Sequence, residues 1–321
     1  MQRRALLAAA LALPAIRPAA AQRGTPTALP VVASFSILGD LARQVAGDRP
    51  LALSVLVGAD ADAHDFQPRP SDAEKLRGAA LLVRNGLGFD EWLGRLTNAA
   101  GFRGTTVTAS EGVAFRAATG GHDHAHSHGG GAARRRTHAV EPSRTPDPHA
   151  WGDPRNVQRY VRNIAAGLSA ADPGQAALFA RNAEAYVARL AALDAEIRAA
   201  VGTVPENRRK VLTSHDAFGY YGAAYGITFL APQGVSTHSE PSAADVAGLI
   251  RQIRAEGITA VFVENMNATT TLERLARETG LRVRGRLYSD ALSPPDGPAA
   301  TYEALIRHNT GLIVPAMRGE G

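Results

Sequence analysis

Asp172–Val201 reads DPGQAALFARNAEAYVARLAALDAEIRAAV. Asp172-Pro173 is a helix start signal. Leu178, Phe179, Ala183, Tyr186, Leu190, Leu193 and Ile197 then recur at the three-and-four spacing of one helical face. Thirty residues of helix would span about 45 Å at about 1.5 Å per residue. A helix of that length crosses from one domain to another, so the chain on either side of it reads as two separate units.

Both flanks show apolar runs alternating with helical patterns. Before the helix, strands are predicted at Pro30–Phe35, Leu51–Val57, Ala79–Arg84 and Thr105–Thr108. Helices are predicted around Ile37–Ala46, from a capping box at Ser71-Asp72-Ala73-Glu74, and over Phe89–Ala99. After the helix the alternation resumes, with strands at Val211–Ser214, Ile227–Leu230, Thr259–Val263 and Arg282–Tyr288. Helices lie between them at Ala217–Tyr225, Ala243–Glu256 and Thr269–Thr279, and Pro298–His308 closes the chain. Strand–helix alternation implies parallel sheets with helices on both faces. The expected fold is therefore α/β: two Rossmann-like lobes with parallel sheets, residues 22–171 and 204–321, joined by one long backbone helix over 172–203.

The first 21 residues are an address rather than part of the fold. Arg3 and Arg4 precede an apolar stretch from Ala5 to Ile16, and Ala19, Ala20 and Ala21 offer a cleavage site. This is the pattern of a secretory signal peptide. The paired arginines suit twin-arginine (Tat) export as well as the general Sec route. The segment is too short to be a spanning helix, and no other stretch is apolar enough to cross a membrane. A periplasmic protein is expected, and a monomer.

The chain has no cysteine, so it forms no disulfide and offers no N-terminal cysteine for a lipid anchor. The formal charge of +5 is largely address: the first 21 residues hold three arginines and no acid, which leaves 32 basic against 30 acidic residues. That balance gives no nucleic-acid footprint. The run Arg134-Arg135-Arg136 reads as a solvated patch in a loop.

That loop, about Ala117 to Pro148, shows no hydrophobic period, and loops of such length are functional or disordered. It contains GGHDHAHSHGGG, with His122, His124, His126 and His128 on alternate positions between glycines. A tract of this kind reads as metal binding. Two roles stand side by side: a lower-affinity gathering site for metal, or a segment that binds metal incidentally.

An ordered site is sought where open α/β sheets hold ligands, beyond the carboxyl ends of the strands. His64 lies in the turn after Leu51–Val57, His215 directly follows Val211–Ser214, and Asp290 directly follows Arg282–Tyr288. His149 sits where the long loop re-enters the fold. The four converge only if the lobes face each other across a cleft. Three imidazoles and one carboxylate make a sensible tetrahedral zinc site, and without thiolates the chemistry favours zinc, manganese or similar ions. Asp65, Asp147, Asp153 and Asp216 lie near these histidines and are candidates to orient them. His238 and His308 read as ordinary polar residues, and His138 belongs to the long loop. Proton competition for imidazole predicts that metal affinity falls as pH drops below about 6.5.

Six strings carry a family resemblance: AHDFQPRPSD from Ala63, NGLGFDEW from Asn85, DPHAWGDP from Asp147, TSHDAFGYYGAAYG from Thr213, THSEPSAADV from Thr237 and LYSDALS from Leu287. In this order they resemble the metal-binding (cluster A-I) solute-binding proteins of ABC importers, most closely the zinc-uptake, ZnuA-like type. The resemblance implies two lobes on a rigid backbone helix with the metal between them, and a His-rich loop before the second histidine. It implies ligands at His64, His149 and His215, with Asp290 as the fourth. It implies a Zn2+ cargo and partnership with a membrane permease and its ATPase. Manganese-type relatives usually carry glutamate where this chain has His215, which favours zinc. Some zinc-type relatives carry a glutamate where this chain has Ala63, so the fourth ligand is Asp290 or water, with Asp290 preferred. The rivals are the same role with manganese or iron, a metal-dependent adhesin, and a zinc hydrolase. The hydrolase needs an open coordination position and a general base, and the sequence holds no His-Glu-x-x-His helix.

Overall fold

The computed structural model describes residues 27–118, 145–237, 243–258, 260–266 and 270–320. The expected signal peptide, residues 1–21, and the tract from His122 to His128 lie outside the described residues, as do Arg134–Arg136, His138 and His238.

Within the first lobe, β1 (Leu29–Phe35), α1 (Ser36–Ala46), β2 (Leu51–Val57), α2 (Pro70–Arg77), β3 (Leu81–Arg84), α3 (Trp92–Ala100) and β4 (Thr105–Thr108) follow one another. The strands form one parallel sheet in the order β2-β1-β3-β4. After the long loop come α4 (Pro154–Ala171) and α5 (Ala176–Gly202), separated by a short 3-10 turn at Pro173–Gln175. The second lobe holds β5 (Lys210–Leu212), α6 (Gly219–Tyr225), β6 (Thr228–Leu230), α7 (Ala243–Glu256), β7 (Ala260–Glu264), α8 (Thr270–Thr279), β8 (Val283–Leu287) and α9 (Tyr302–Arg318). Its sheet is also parallel, in the order β6-β5-β7-β8. Both orders reverse direction between the first and third strands of the lobe, and such switch points are where open α/β sheets bind ligands.

The long helix is there, but it starts later than the sequence suggests. Asp172-Pro173 opens the 3-10 turn, and α5 proper runs for 27 residues, about 40 Å. Its buried face, Phe179, Ala183, Tyr186, Leu190, Leu193, Ile197 and Val201, is a stripe at three-and-four spacing. It packs on α1 of the first lobe and on α6 and α9 of the second, so one continuous apolar core runs through both lobes. A smaller core, with Leu249, Ile253, Val261 and Leu275, lies under α7 and α8.

Three other expectations change. The α4 helix has no counterpart in the sequence reading; Asp153 caps it by accepting from the Arg155 N–H at 2.9 Å, with Pro154 as its first residue. At α2, Ser71 is not the cap. The helix begins two residues earlier, at Pro70 with Arg69 in the cap position, and the Asp72 carboxylate accepts from the Arg69 N–H at 2.9 Å. The closing helix starts at Tyr302, capped by Thr301, and continues past His308 because Ile313, Val314 and Met317 extend its buried face.

Candidate metal centre

Four segments meet at the carboxyl ends of the two sheets. His64 comes from the loop after β2, His215 from the residues after β5, Asp290 from those after β8, and His149 from the end of the long loop. One ligand atom of each lies within 4.8 Å of all the others. His64 Nε2 is 3.3 Å from His149 Nε2 and 3.1 Å from Asp290 Oδ2. Asp290 Oδ2 is 3.2 Å from His215 Nε2, and Asp290 Oδ1 is 3.5 Å from His149 Nε2. Around a tetrahedral zinc with bonds of about 2.0–2.2 Å, neighbouring donors sit roughly 3.3–3.6 Å apart. The four separations, 3.1–3.5 Å, are close to that range, so these donors can hold one small cation.

Electrostatics point the same way. The side chains of His149, His215 and Asp290 are fully buried. Among the described residues, no hydrogen-bond donor in good geometry meets either Asp290 oxygen. A carboxylate sealed in that way needs positive charge beside it. Burial works against ionisation of Asp290, yet His149 and His215 outweigh it and hold its pKa well below the ordinary carboxylate range. Burial likewise opposes charge on His149, but Asp290 and Asp147 prevail and raise its pKa to about 9. The same contest, with Glu264 and Asp290 prevailing, raises His215 well above the usual imidazole value. At His64 burial wins and the pKa falls.

Two of the imidazoles are oriented by carboxylates. His149 Nδ1 donates to Asp147 Oδ1 at 2.8 Å, and the same oxygen accepts from the His149 backbone N–H at 3.0 Å. His215 Nδ1 lies 2.6 Å from Glu264 Oε2, while Glu264 Oε1 accepts from the backbone N–H groups of Ser214 and His215, both at 2.9 Å. With Nδ1 turned to a carboxylate, Nε2 of both rings faces the centre and offers a lone pair once its proton has left. Of the four aspartates proposed as orienting groups, Asp147 alone takes the part among these contacts. Asp153 caps α4, Asp65 is exposed at the surface, and Asp216 is half-buried with its N–H on the Gly234 carbonyl. The sequence reading missed Glu264. It ends the apolar strand AVFVE, and an acid at the carboxyl end of a buried strand is the one local signal it gives.

The wall of the site is aromatic. In Asn85–Trp92 the Asp90 carboxylate accepts from the N–H groups of Asn85 and Gly86, at 2.6 and 3.1 Å. Gly86 and Gly88 take left-handed backbone, with φ of 85° and 84°. This turn sets Phe89 edge-on to His64, with ring centroids 4.8 Å apart, and against Trp151 at the same distance. His308 stays outside the site, its Nε2 3.1 Å from the Arg286 carbonyl.

The family model for the zinc-uptake complex component A, periplasmic (ZnuA), matches residues 31–316. The chain belongs to this family. Family membership makes it a substrate-binding component of a metal ABC importer, which works with a permease and an ATPase, and not an enzyme. The manganese-binding lipoprotein MntA of Halalkalibacterium halodurans is 29% identical over 289 residues, covering 90% of this chain and 88% of the relative. The iron-binding protein YfeA of Yersinia pestis is 29% identical over 283 residues, covering 88% and 84%. Among solved structures, the periplasmic zinc-binding protein TroA from Treponema pallidum superposes with a TM-score of 0.79 at 27% identity, covering 90% of this chain and 99% of that one. A Mn-bound periplasmic metal-binding protein from Candidatus Liberibacter asiaticus gives 0.75 at 28% identity, covering 89% and 98%. Among the described residues, no helix is long and apolar enough to cross a membrane.

Proposed function

We propose that this chain captures Zn2+ in the periplasm with His64, His149, His215 and Asp290, and hands it to the importer's permease. The supporting observation is the donor shell: three imidazole nitrogens and one carboxylate, 3.1–3.5 Å apart where measured pairwise. Imidazole suits zinc, whereas manganese prefers a set richer in oxygen. Two oriented histidines and an ionised aspartate give a dication compensating charge without large rearrangement.

One observation sustains a second reading. Both oxygens of Asp290 face imidazoles, Oδ1 towards His149 and Oδ2 towards His64 and His215. A two-oxygen grip would raise the coordination number and suit manganese or iron, the metals in the names of the two relatives above. The test is calorimetric titration with zinc and manganese, singly and in competition, on the intact chain and on His64→Ala, His149→Ala and His215→Ala. Zinc should displace manganese, and each substitution should weaken zinc binding strongly. Manganese retained against equimolar zinc would reverse the assignment. Unchanged affinity in all three variants would remove the site.

A further inference from the structure

His64 stands apart from the other three residues. Its side chain is 6% exposed, whereas those of His149, His215 and Asp290 are at 0%. Asp147 and Glu264 hold the other two imidazoles at Nδ1; among the described residues no carboxylate does so for His64. Its ring rests edge-on against Phe89. Its backbone hangs on the Asp62 carboxylate, which accepts the His64 N–H at 2.8 Å, and on Trp92, whose Nε1–H donates to the Ala63 carbonyl at 3.1 Å.

A groove of about 350 Å³ opens onto this ring. Phe66, Gln67, Trp92, Arg95, Pro146 and Val235 are among the residues that line it. Six waters at about 30 Å³ each occupy roughly 180 Å³, so a hydrated divalent ion fits within it. On its other sides the centre is closed by the Phe35–Phe89–Trp151 aromatic cluster and by the buried Glu264 behind His215. Moving His149 breaks a buried charge-assisted hydrogen bond to Asp147, and moving His215 breaks a buried ion pair with Glu264. Moving His64 gives up its ring-edge contact with Phe89 and its approach to Asp290, but no Nδ1 contact with a carboxylate.

We propose that the cargo metal enters and leaves through this groove, with His64 swinging aside while His149, His215 and Asp290 stay in place. The inference rests on the reading of these four residues as ligands. It assigns His64 a second role, as the ligand that opens, and makes the groove the passage that sets exchange rates.

Gln67→Trp and Val235→Trp each place an indole in the groove at a position that is not one of the four ligands. Zinc association is followed by stopped flow, and dissociation by transfer to a fluorescent zinc chelator. Because Kd is koff/kon, a blocked passage should slow both rates together, by about tenfold, and leave Kd unaltered. Wild-type rates in both variants, or a change in one rate that shifts Kd, would overturn the proposal. His149→Ala and His215→Ala in the same experiment separate the two failures. If they keep wild-type affinity, the ligand assignment is wrong. If they lose it while the tryptophan variants exchange at wild-type speed, only the passage is wrong.

Discussion

Glu264 accepts from two backbone N–H groups on Oε1, those of Ser214 and His215, and sets Oε2 2.6 Å from His215 Nδ1 as an ion pair. An amide cannot repeat this. Turned one way, the glutamine NH2 faces His215 Nδ1 and forces the proton onto Nε2, where metal must bind; turned the other way, it faces two backbone donors. Glu264→Gln should therefore lower zinc affinity by about 10–100-fold, the usual cost of losing an outer partner of a metal-bound histidine. A titration showing wild-type affinity would mean that His215 is oriented by something else. Protonation carries a second prediction. In the metal-free chain His149 keeps its proton up to about pH 9, so metal binding must expel it. Zinc affinity should rise with pH through neutrality and level off only near 9, rather than near the 6.5 of an isolated imidazole. The same raised pKa stabilises the metal-free fold. That contribution is complete below about 6.5, the unfolded value, and is lost as pH rises through about 9. Calorimetry in buffers of different ionisation enthalpy would count the protons released, and no proton release at pH 7.5 would contradict both statements. The four central residues were legible in the sequence because each lies in the segment after a strand or where the chain re-enters the fold before α4. Glu264 was not, since 49 residues separate it from the ring it holds and only the sheet order brings β7 beside β5.

Among the elements, β2, β4 and α7 fall where hydrophobic period and turn residues place them, at Leu51–Val57, Thr105–Thr108 and Ala243–Glu256. The overlooked α4 shows a different limit. Val157, Tyr160, Val161, Ile164 and Leu168 form a buried stripe as regular as that of α5, and Asp153-Pro154 is the same start signal as Asp172-Pro173. The two helices fold back to back with only a 3-10 turn between them, and the sequence reading takes the second start signal and leaves the first unread. What fixes α4 is packing. Gly167 lies so close to the first sheet that an added Cβ would meet Val107 Cγ2 at 2.2 Å and Leu81 Cδ1 at 3.3 Å. Gly167→Ala should gain about 1 kcal/mol of helix propensity, yet overpacking costs about 1–3 kcal/mol. The expected net result is a lower urea midpoint, with zinc affinity unchanged because α4 supplies no ligand. A raised midpoint would show that the sheet yields freely at Val107.

At the scale of the whole molecule, the question is how two lobes that share a metal can release it. The lobes do not meet at a bare hinge. Ser36 Oγ accepts from the Leu292 N–H at 2.9 Å, and Asp40 from the Tyr302 N–H at 2.8 Å. Trp151 Nε1–H donates to the Ser289 carbonyl at 2.9 Å, and Tyr302 O–H to the Trp151 carbonyl at 2.7 Å. All four bonds are buried, and leaving such groups unpaired costs about 1–3 kcal/mol each. The α5 helix adds a stiff strut against α1 and α9, and the main core is continuous across the junction. A wide swing would break all of these at once, whereas release by a local movement of the His64 loop leaves them intact. Small-angle scattering should therefore give nearly the same radius of gyration with and without zinc, close to the roughly 19 Å of a compact chain of about 300 residues. A growth of several ångströms on metal removal would mean that the lobes part. The junction would then have to be far weaker than its buried hydrogen bonds and shared core make it, and rigid-body opening, rather than a single moving side chain, would set the rate of delivery.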